Sequence, residues 1–204
     1  MVVTDRGIEN AGLLSDGMKS LREAGIDVTI YKDVVPDPTE KNVYDATMQA
    51  EEQGIDGVIG FGGGSSMDVA KLVAYMKKNS GTKLDDIYGV GNAPKSRLPL
   101  IQVPTTAGTG SEVTPISIIT TGATSKMGIV SASLLPDWAV LDGNITLTVP
   151  KATTAHTGVD AMVHAIEAYT SKFKKNQLSD LLAREALKIL SANIHTAVHD
   201  GQNA

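Results

Sequence analysis

Short apolar runs alternate with helical patterns over the first half of the chain. The runs carry no regular polar alternation, which is typical of strands that are buried on both faces of a parallel sheet. The order strand, helix, strand, helix predicts an α/β fold, a Rossmann-like parallel sheet with helices on both faces. The predicted strands are MVVTD, DVTIY, GVIGF, LPLIQVP and a short run at 138–141, and the predicted helices are residues 9–24, which Gly25 closes, residues 40–53, and SMDVAKLVAYMKK.

The pattern changes after the fourth strand. Residues 113–121 and 126–131 are two apolar runs separated by GATS, and they predict a hairpin. From Pro150 onward the periodicity is helical, with one helix over about 152–170 and a second over about 178–199. We therefore expect a sheet domain over residues 1–150, followed over residues 151–204 by the first helices of an all-α domain.

Composition and charge exclude several classes of protein. A net charge of −5 with interspersed acids and bases does not form the basic field that nucleic acid or an anionic membrane requires. The apolar runs fall far short of the roughly 20 residues of a spanning helix, and we expect no signal peptide, since the first residues lack a charged segment followed by a long apolar run. The chain has no cysteine, which excludes disulfide scaffolds and thiol nucleophiles and indicates a cytoplasmic compartment.

A glycine-rich loop, FGGGSSMDVAK, follows the strand GVIGF and opens a helix. Consecutive glycines let the backbone turn tightly and approach a ligand, and the free amides of the first helical turn attract anions, most often phosphate. Ser65 or Ser66 is the predicted N-cap residue. The run matches neither the dinucleotide fingerprint nor the P-loop, so a plain tight turn is the competing interpretation.

Two further features lie at the predicted carboxyl ends of strands, where ligands bind in open α/β sheets. The loop PTTAGTGSE, residues 104–112, carries four small hydroxyl side chains, and a capped turn is its alternative interpretation. Asp5 ends the first strand, where a carboxylate could accept hydrogen bonds from a ribose or simply stabilise the turn before Gly7.

A possible metal site lies in TGVDAMVHAIEAYTS, residues 157–171. Asp160 and His164 are four residues apart in a predicted helix, so their side chains share one helical face. Two ligand-type groups on adjacent turns form at most half of a closed site.

Taken together these segments resemble the iron-containing (group III) alcohol dehydrogenase family. The resemblance rests on GGGSSMDVAK (62–71), PTTAGTGSEVTP (104–115), KMGIVS (126–131) and TGVDAMVHAIEAYTS (157–171), in this order and at spacings similar to those of the family. It covers essentially the whole chain. Family chains are nearly twice as long, so we expect this chain to be the N-terminal portion of such a protein.

The resemblance implies a cofactor and the residues that bind it. It implies NAD, with the glycine loop on the pyrophosphate and with a strand-end aspartate that favours NAD over NADP. The implied cofactor-binding residues are Asp5, Gly63, Gly64, Ser65, Asp68, Thr105, Thr106, Thr109, Ser111 and Lys126. Asp37 is a departure, because the family typically has asparagine between the two prolines of this segment.

The resemblance also implies a divalent metal, usually Fe²⁺ with Zn²⁺ as an alternative, held by Asp160 and His164 and by two histidines farther along in longer chains. The metal polarises the oxygen of a small primary alcohol or diol, or of the corresponding aldehyde, while hydride moves between the substrate and NAD. No catalytic residue beyond the metal ligands is implied. We expect a homo-oligomer with small-molecule partners, and no nucleic-acid or membrane partner.

Other interpretations stay open at this point. The chain could be an NAD-binding fragment without catalysis, or a zinc-dependent relative of the glycerol dehydrogenase type. His195 and His199 could close a metal site, but their place at a helix end favours a role as helix-dipole partners. The apolar residues Met162, Val163 and Ile166 are predicted to be core residues.

Overall fold

The computed structural model describes residues 1–203. Its strands are β1 (Val2–Val3), β2 (Ile30–Tyr31), β3 (Val58–Gly62), β4 (Gly89–Val90), β5 (Leu100–Pro104), β6 (Ile116–Thr121), β7 (Ser125–Val130) and β8 (Trp138–Ala139). Its α-helices are α1 (Arg6–Asn10), α2 (Ser15–Glu23), α3 (Glu40–Glu52), α4 (Gly64–Lys78), α5 (Lys151–Thr170) and α6 (Gln177–His199). The elements form two compact units, the first of residues 1–104 and 111–141, the second of residues 105–110 together with residues from 142 onward.

A five-stranded parallel sheet in the order β2-β1-β3-β5-β8 organises the first unit, which confirms the predicted fold class. Helices cover both of its faces. Gly60 of β3 faces α4, where an added Cβ would lie 2.9 Å from the Cβ of Ala70. Ile59 and Ile101 alternate to the other face and line an apolar pocket with Leu21 of α2.

Helix α4 is the centre of the core, because ten of its fifteen residues are buried. It packs against the sheet, against α3 and against β6. A second sheet in the order β4-β7-β6 contains the predicted hairpin, in which β6 and β7 pair antiparallel. Strand β4, which pairs parallel to β7, was not predicted, because two residues leave no periodic signal.

The predicted helix over residues 9–24 was wrong as a single element. The structure has α1 and α2 separated by a turn at Gly12, whose φ of +73° belongs to the left-handed region. Gly25, with φ +76°, follows the end of α2 as predicted. Strands β1, β2 and β8 are also shorter than predicted, with two residues each.

The second unit consists of α5, α6 and the segment 105–110. Gly158 near the start of α5 lies against Ile194 near the end of α6, so the two helices run antiparallel. An added Cβ at Gly158 would lie 2.9 Å from Cδ1 of Ile194, which shows how closely the helices approach. Within the described residues, no helix combines the length and the apolar character needed to cross a membrane.

The prediction that Val163 and Ile166 are core residues was wrong for this chain. Their exposed fractions are 44% and 49%, and Leu178, Leu181 and Leu182 on α6 are more exposed still. These residues do have helical spacing, but α5 contacts α6 at another position, Gly158, and Gly158 and Ala165 are its buried residues. The helical pair therefore presents apolar side chains to solvent.

Candidate functional site

The glycine loop joins the central strand β3 to the start of α4. Gly63 is the N-cap residue and has no side chain to cap the helix, and among residues 1–203 no side-chain hydrogen bond to the amides of Gly64 or Ser65 is found. The predicted caps Ser65 and Ser66 instead lie within the first turn, because the helix begins at Gly64. The amides of this turn consequently lie without a capping side chain at the carboxyl edge of the sheet, where the positive end of the helix dipole favours an anion.

Gly62 gives the loop its shape. Its φ is +153°, and an added Cβ would lie 2.8 Å from Ser66 Oγ and 2.9 Å from Ser66 Cβ. Only glycine combines this backbone conformation with such a close approach of the first turn.

Asp5 lies beside this loop, because β1 and β3 are parallel neighbours and end at the same edge. Its Oδ1 accepts hydrogen bonds from the amides of Gly7 and Ile8 and caps α1. The hydroxyl of Ser66 donates to its Oδ2 at 3.4 Å. Both interpretations of Asp5 therefore stay compatible with the structure: one oxygen stabilises a helix start, and the other faces the glycine loop.

Asp68, Lys71 and Ser111 form a buried polar network at the side of α4. Nζ of Lys71, whose side chain is fully buried, donates to Ser111 Oγ at 2.7 Å and to the carbonyl of Ile116 at 2.6 Å. Ser111 Oγ in turn donates to Asp68 Oδ1 at 2.6 Å, and the amide of Ile118 donates to Asp68 Oδ2 at 2.9 Å. The network connects the helix after the glycine loop to the segment that precedes the hairpin.

Burial moves both charged groups of this network toward their neutral forms. Burial lowers the pKa of Lys71 to about 8, although the attraction of Asp68 opposes the shift. Burial likewise raises the pKa of Asp68, against the stabilising effects of Lys71 and Ser111. Sequence reasoning missed Lys71, although a lysine inside the apolar run VAKLVAYM was a signal for a buried, paired cation.

Lys126, which the resemblance places at the cofactor, is at the start of β7. Its ammonium forms an ion pair with Asp37 Oδ1 at 2.6 Å, and both side chains are more than half exposed. Lys126 and Asp37 belong to the same unit as the glycine loop.

The threonine-rich loop belongs to the second unit, where it packs on α5. Gly108 permits this contact, because an added Cβ would lie 2.7 Å from Thr157 Cβ and 2.8 Å from the Thr157 carbonyl oxygen. Thr105 is buried, Thr106 is half-buried and Thr109 is exposed. The unit contains a cavity of about 110 Å³, lined by Thr106, Ala107, Thr146, Leu147, Val149, Thr154, Thr157, Ala197, Gly201 and Asn203.

Asp160 and His164 occupy one face of α5, as predicted. Oδ1 of Asp160 and Nε2 of His164 are 3.7 Å apart, and each side chain is about half exposed. Two metal–ligand bonds of about 2.1 Å can span up to about 4.2 Å, so both atoms can bind one ion. An oxygen and an imidazole donor fit a divalent transition metal such as Fe²⁺ or Zn²⁺.

The described part of the chain contains no cluster of three or more histidine, cysteine or acidic residues that could hold a metal. His195 and His199 stack on each other at the end of α6, with ring centroids 4.4 Å apart. They do not join Asp160 and His164 in one cluster, so the described residues bring together at most two ligand-type groups, fewer than the four of a closed site.

Comparisons with known proteins identify the family of the chain. The family "Iron-containing alcohol dehydrogenase" matches residues 1–143, and the "Fe-containing alcohol dehydrogenase family, C-terminal" matches residues 154–204. The NAD-dependent methanol dehydrogenase of Bacillus methanolicus is 34% identical over 204 residues, which are 100% of this chain and 53% of that protein.

Solved structures give the same result. A 1,3-propanediol oxidoreductase superposes with a TM-score of 0.94 at 35% identity, over 99% of this chain and 53% of that one. A sulfoacetaldehyde reductase from Bifidobacterium kashiwanohense in complex with NAD⁺ superposes with a TM-score of 0.86 at 32% identity, over 99% of this chain and 53% of that one. The chain spans about half the length of the curated relatives it matches. By both of its matching segments and by its fold, the chain belongs to the iron-containing alcohol dehydrogenase family.

Proposed function

We propose that this chain provides the NAD-binding part and the first two metal ligands of a dehydrogenase. The reaction moves hydride between NAD and a small primary alcohol or diol, or the corresponding aldehyde. The observation that carries the proposal is the uncapped first turn of α4 after the glycine loop, at the carboxyl edge of the parallel sheet. The relatives, which include a sulfoacetaldehyde reductase in complex with NAD⁺ and a 1,3-propanediol oxidoreductase, support it.

Each proposed residue has a definite task. The amides of Gly64 and Ser65 bind the pyrophosphate of NAD, and Oδ2 of Asp5, which makes only a long hydrogen bond with Ser66, accepts a hydrogen bond from a ribose hydroxyl. Lys126 donates to the cofactor. By resemblance we also assign Asp68, Ser111 and the loop threonines 105, 106 and 109 to NAD binding, although Asp68 and Ser111 already bond to each other.

Asp160 and His164 would hold the metal, each through one donor atom. A divalent ion bound there would polarise the alcohol oxygen and lower its pKa. Asp160 would supply negative charge to the site, and His164 would bind through Nε2 as a neutral imidazole. The homo-oligomer and the cytoplasmic location expected from the sequence stay predictions.

The first test is isothermal titration of the 204-residue chain with NAD⁺ and with its two halves, ADP-ribose and nicotinamide mononucleotide. We expect saturable binding of one NAD⁺ and of ADP-ribose, because the glycine loop and Asp5 act on the adenosine diphosphate half. Nicotinamide mononucleotide should bind more weakly than ADP-ribose. Absence of binding at about 1 mM, where an affinity of about −4 kcal/mol is half-saturated, would contradict the proposal.

The second test concerns the metal ligands. We expect Co²⁺, a spectroscopic substitute for Fe²⁺ or Zn²⁺, to bind weakly, because two protein ligands do not close a site. His164→Ala should weaken binding about tenfold or more, as loss of one ligand of two requires. His156→Ala, which removes an exposed histidine from the same helix, should change nothing. Binding that survives His164→Ala but disappears in His195→Ala would assign the metal to the other histidine pair.

A second candidate function, an NAD-binding module without catalysis, is favoured by one observation. The described residues supply only two clustered ligands of the proposed metal site. Under this alternative the chain binds NAD⁺ but does not oxidise propane-1,2-diol when Fe²⁺ is added under anaerobic conditions. Turnover that disappears in His164→Ala would exclude the alternative.

A further inference from the structure

Asp37 has an unusual backbone conformation. Among residues 1–203 it is the one non-glycine residue with positive φ, at +54°, and it lies between Pro36 and Pro38. A left-handed residue before proline is unfavourable, and such strain persists where the surrounding contacts fix it, frequently at functional sites.

The contacts that fix Asp37 come from one cross-strand pair of the hairpin. Thr120 of β6 and Lys126 of β7 lie opposite each other. Thr120 Oγ1 donates to the backbone carbonyl of Asp37 at 3.1 Å, and the amide of Thr120 donates to the carbonyl of Pro38 at 2.8 Å. Lys126 Nζ donates to Asp37 Oδ1 at 2.6 Å. The strained turn thus directs its carboxylate at the ammonium of Lys126.

This geometry neutralises the cation that is assigned to the cofactor. An ammonium has three N–H donors, and one of them is used by Asp37. The remaining donors can serve neutral acceptors such as ribose hydroxyls. A phosphate group brought to the same ammonium would meet the Asp37 carboxylate as well, and like charges at a few ångströms repel.

We propose that Asp37 is a specificity-determining residue, which favours NAD over its 2′-phosphorylated counterpart NADP by holding Lys126 in an ion pair. The proposal rests on the proposed function, since it needs a dinucleotide near Lys126. The effect of Asp37 is separate from that of Asp5. Asp5 is expected to repel a 2′-phosphate directly with its own carboxylate, whereas Asp37 acts by neutralising Lys126. It is particular to this chain, in which aspartate stands between two prolines where the resemblance leads us to expect asparagine.

The test is the ratio of the dissociation constants of NADP⁺ and NAD⁺, measured by titration of the wild-type chain and of variants. Asp37→Asn releases Lys126 and removes one negative charge. The affinity for NADP⁺, whose 2′-phosphate carries about two negative charges at pH 7, should therefore rise, while the affinity for NAD⁺ should not. We expect the ratio to fall at least about tenfold, and the change to shrink at high salt because the side chains are exposed. In Asp37→Asn/Lys126→Gln the gain should disappear.

Asp45→Asn is the matched control. It removes the same charge from an exposed Lys41–Asp45 ion pair of the same unit, and the ratio should stay constant. The proposal would be overturned if Asp37→Asn changed the dissociation constants of NAD⁺ and NADP⁺ by the same factor. It would also be overturned if the gain in NADP⁺ affinity persisted in Asp37→Asn/Lys126→Gln. A wild-type chain that binds neither NAD⁺ nor ADP-ribose would overturn the proposed function first, and that result differs from both of these.

Discussion

Lys71→Met is expected to lower the free energy of unfolding by about 3–5 kcal/mol at pH 7. The substitution removes the cation of a buried pair and leaves the Asp68 carboxylate with hydrogen bonds from Ser111 and Ile118 but without a counter-charge. It also leaves the carbonyl of Ile116 without the lysine donor. Urea denaturation followed by circular dichroism measures the loss.

Two variants make this prediction specific. Lys78→Met changes an exposed lysine near the end of the same helix and should cost less than about 0.5 kcal/mol. Asp68→Asn/Lys71→Met removes both charges, and the asparagine can still bond to Ser111 and to the amide of Ile118. The double variant should therefore be more stable than Lys71→Met alone, with a coupling of at least about 1 kcal/mol. If Lys71→Met is as stable as Lys78→Met, the network does not stabilise the fold.

The same lysine makes stability depend on pH in a definite direction. The pKa of Lys71 is lowered to about 8 in the folded chain from 10.5, its ordinary value. Between these values the unfolded chain binds the proton more strongly, so the free energy of unfolding rises with pH, by roughly 3 kcal/mol in total. Below about pH 8 Lys71 is protonated in both the folded and the unfolded chain, so its contribution to the free energy of unfolding does not change with pH. The difference between wild type and Lys71→Met isolates this rise from the titration of other lysines and tyrosines.

The sequence predicted the parts of the fold that local patterns determine. The glycine loop between β3 and α4, the hairpin of β6 and β7, and the helices α5 and α6 follow from glycine clusters and apolar periodicity. Asp160 and His164 came together for the same reason, since helical spacing alone places them on adjacent turns.

The features that sequence reasoning missed depend on contacts between distant segments. Lys71 bonds to residues 40 to 45 positions away, and the ion pair of Asp37 with Lys126 spans 89 positions. The positive φ of Asp37 is imposed by Thr120, and no local pattern in VPDPT indicates it. Exposure of Val163 and Ile166 was also unpredictable, because periodicity identifies an apolar face but not what covers it.

These long-range contacts connect the fold to the proposed function. Asp68 and Lys71 lie on α4, one and two turns after the glycine loop, and they bind the segment from Ser111 to Ile118. The network thus fixes the position of the helix whose first turn is proposed to bind pyrophosphate. A buried polar network with satisfied partners favours one arrangement of the helix. Burying its charged groups costs desolvation free energy, and this desolvation is the main cause of the pKa shifts of Asp68 and Lys71.

Gly62→Ala is expected to reduce the affinity for NAD⁺ about 100-fold, or by about 2.7 kcal/mol. The methyl group would lie within 3 Å of two atoms of Ser66 and 3.4 Å from Asp5 Oδ2, and φ at this position is unfavourable for alanine. The loop must move to relieve these contacts, and the amides of Gly64 and Ser65 move with it. Titration with NAD⁺ and ADP-ribose, at a temperature where circular dichroism shows the variant to be folded, measures the effect.

Gly54→Ala separates the effect on the loop from the general cost of replacing a glycine. Gly54 also has positive φ, at +62°, but it follows the end of α3, and an added Cβ would have no atom within 4 Å. This control should lose about 1 kcal/mol of stability, because alanine is strained in the left-handed region, and should keep its affinity for NAD⁺. A folded Gly62→Ala chain that binds NAD⁺ as tightly as Gly54→Ala would contradict the assignment of the pyrophosphate to this loop. Loss of affinity in Gly62→Ala alone would show that this loop, and not the addition of a methyl group at any glycine with positive φ, sets the geometry of the cofactor site.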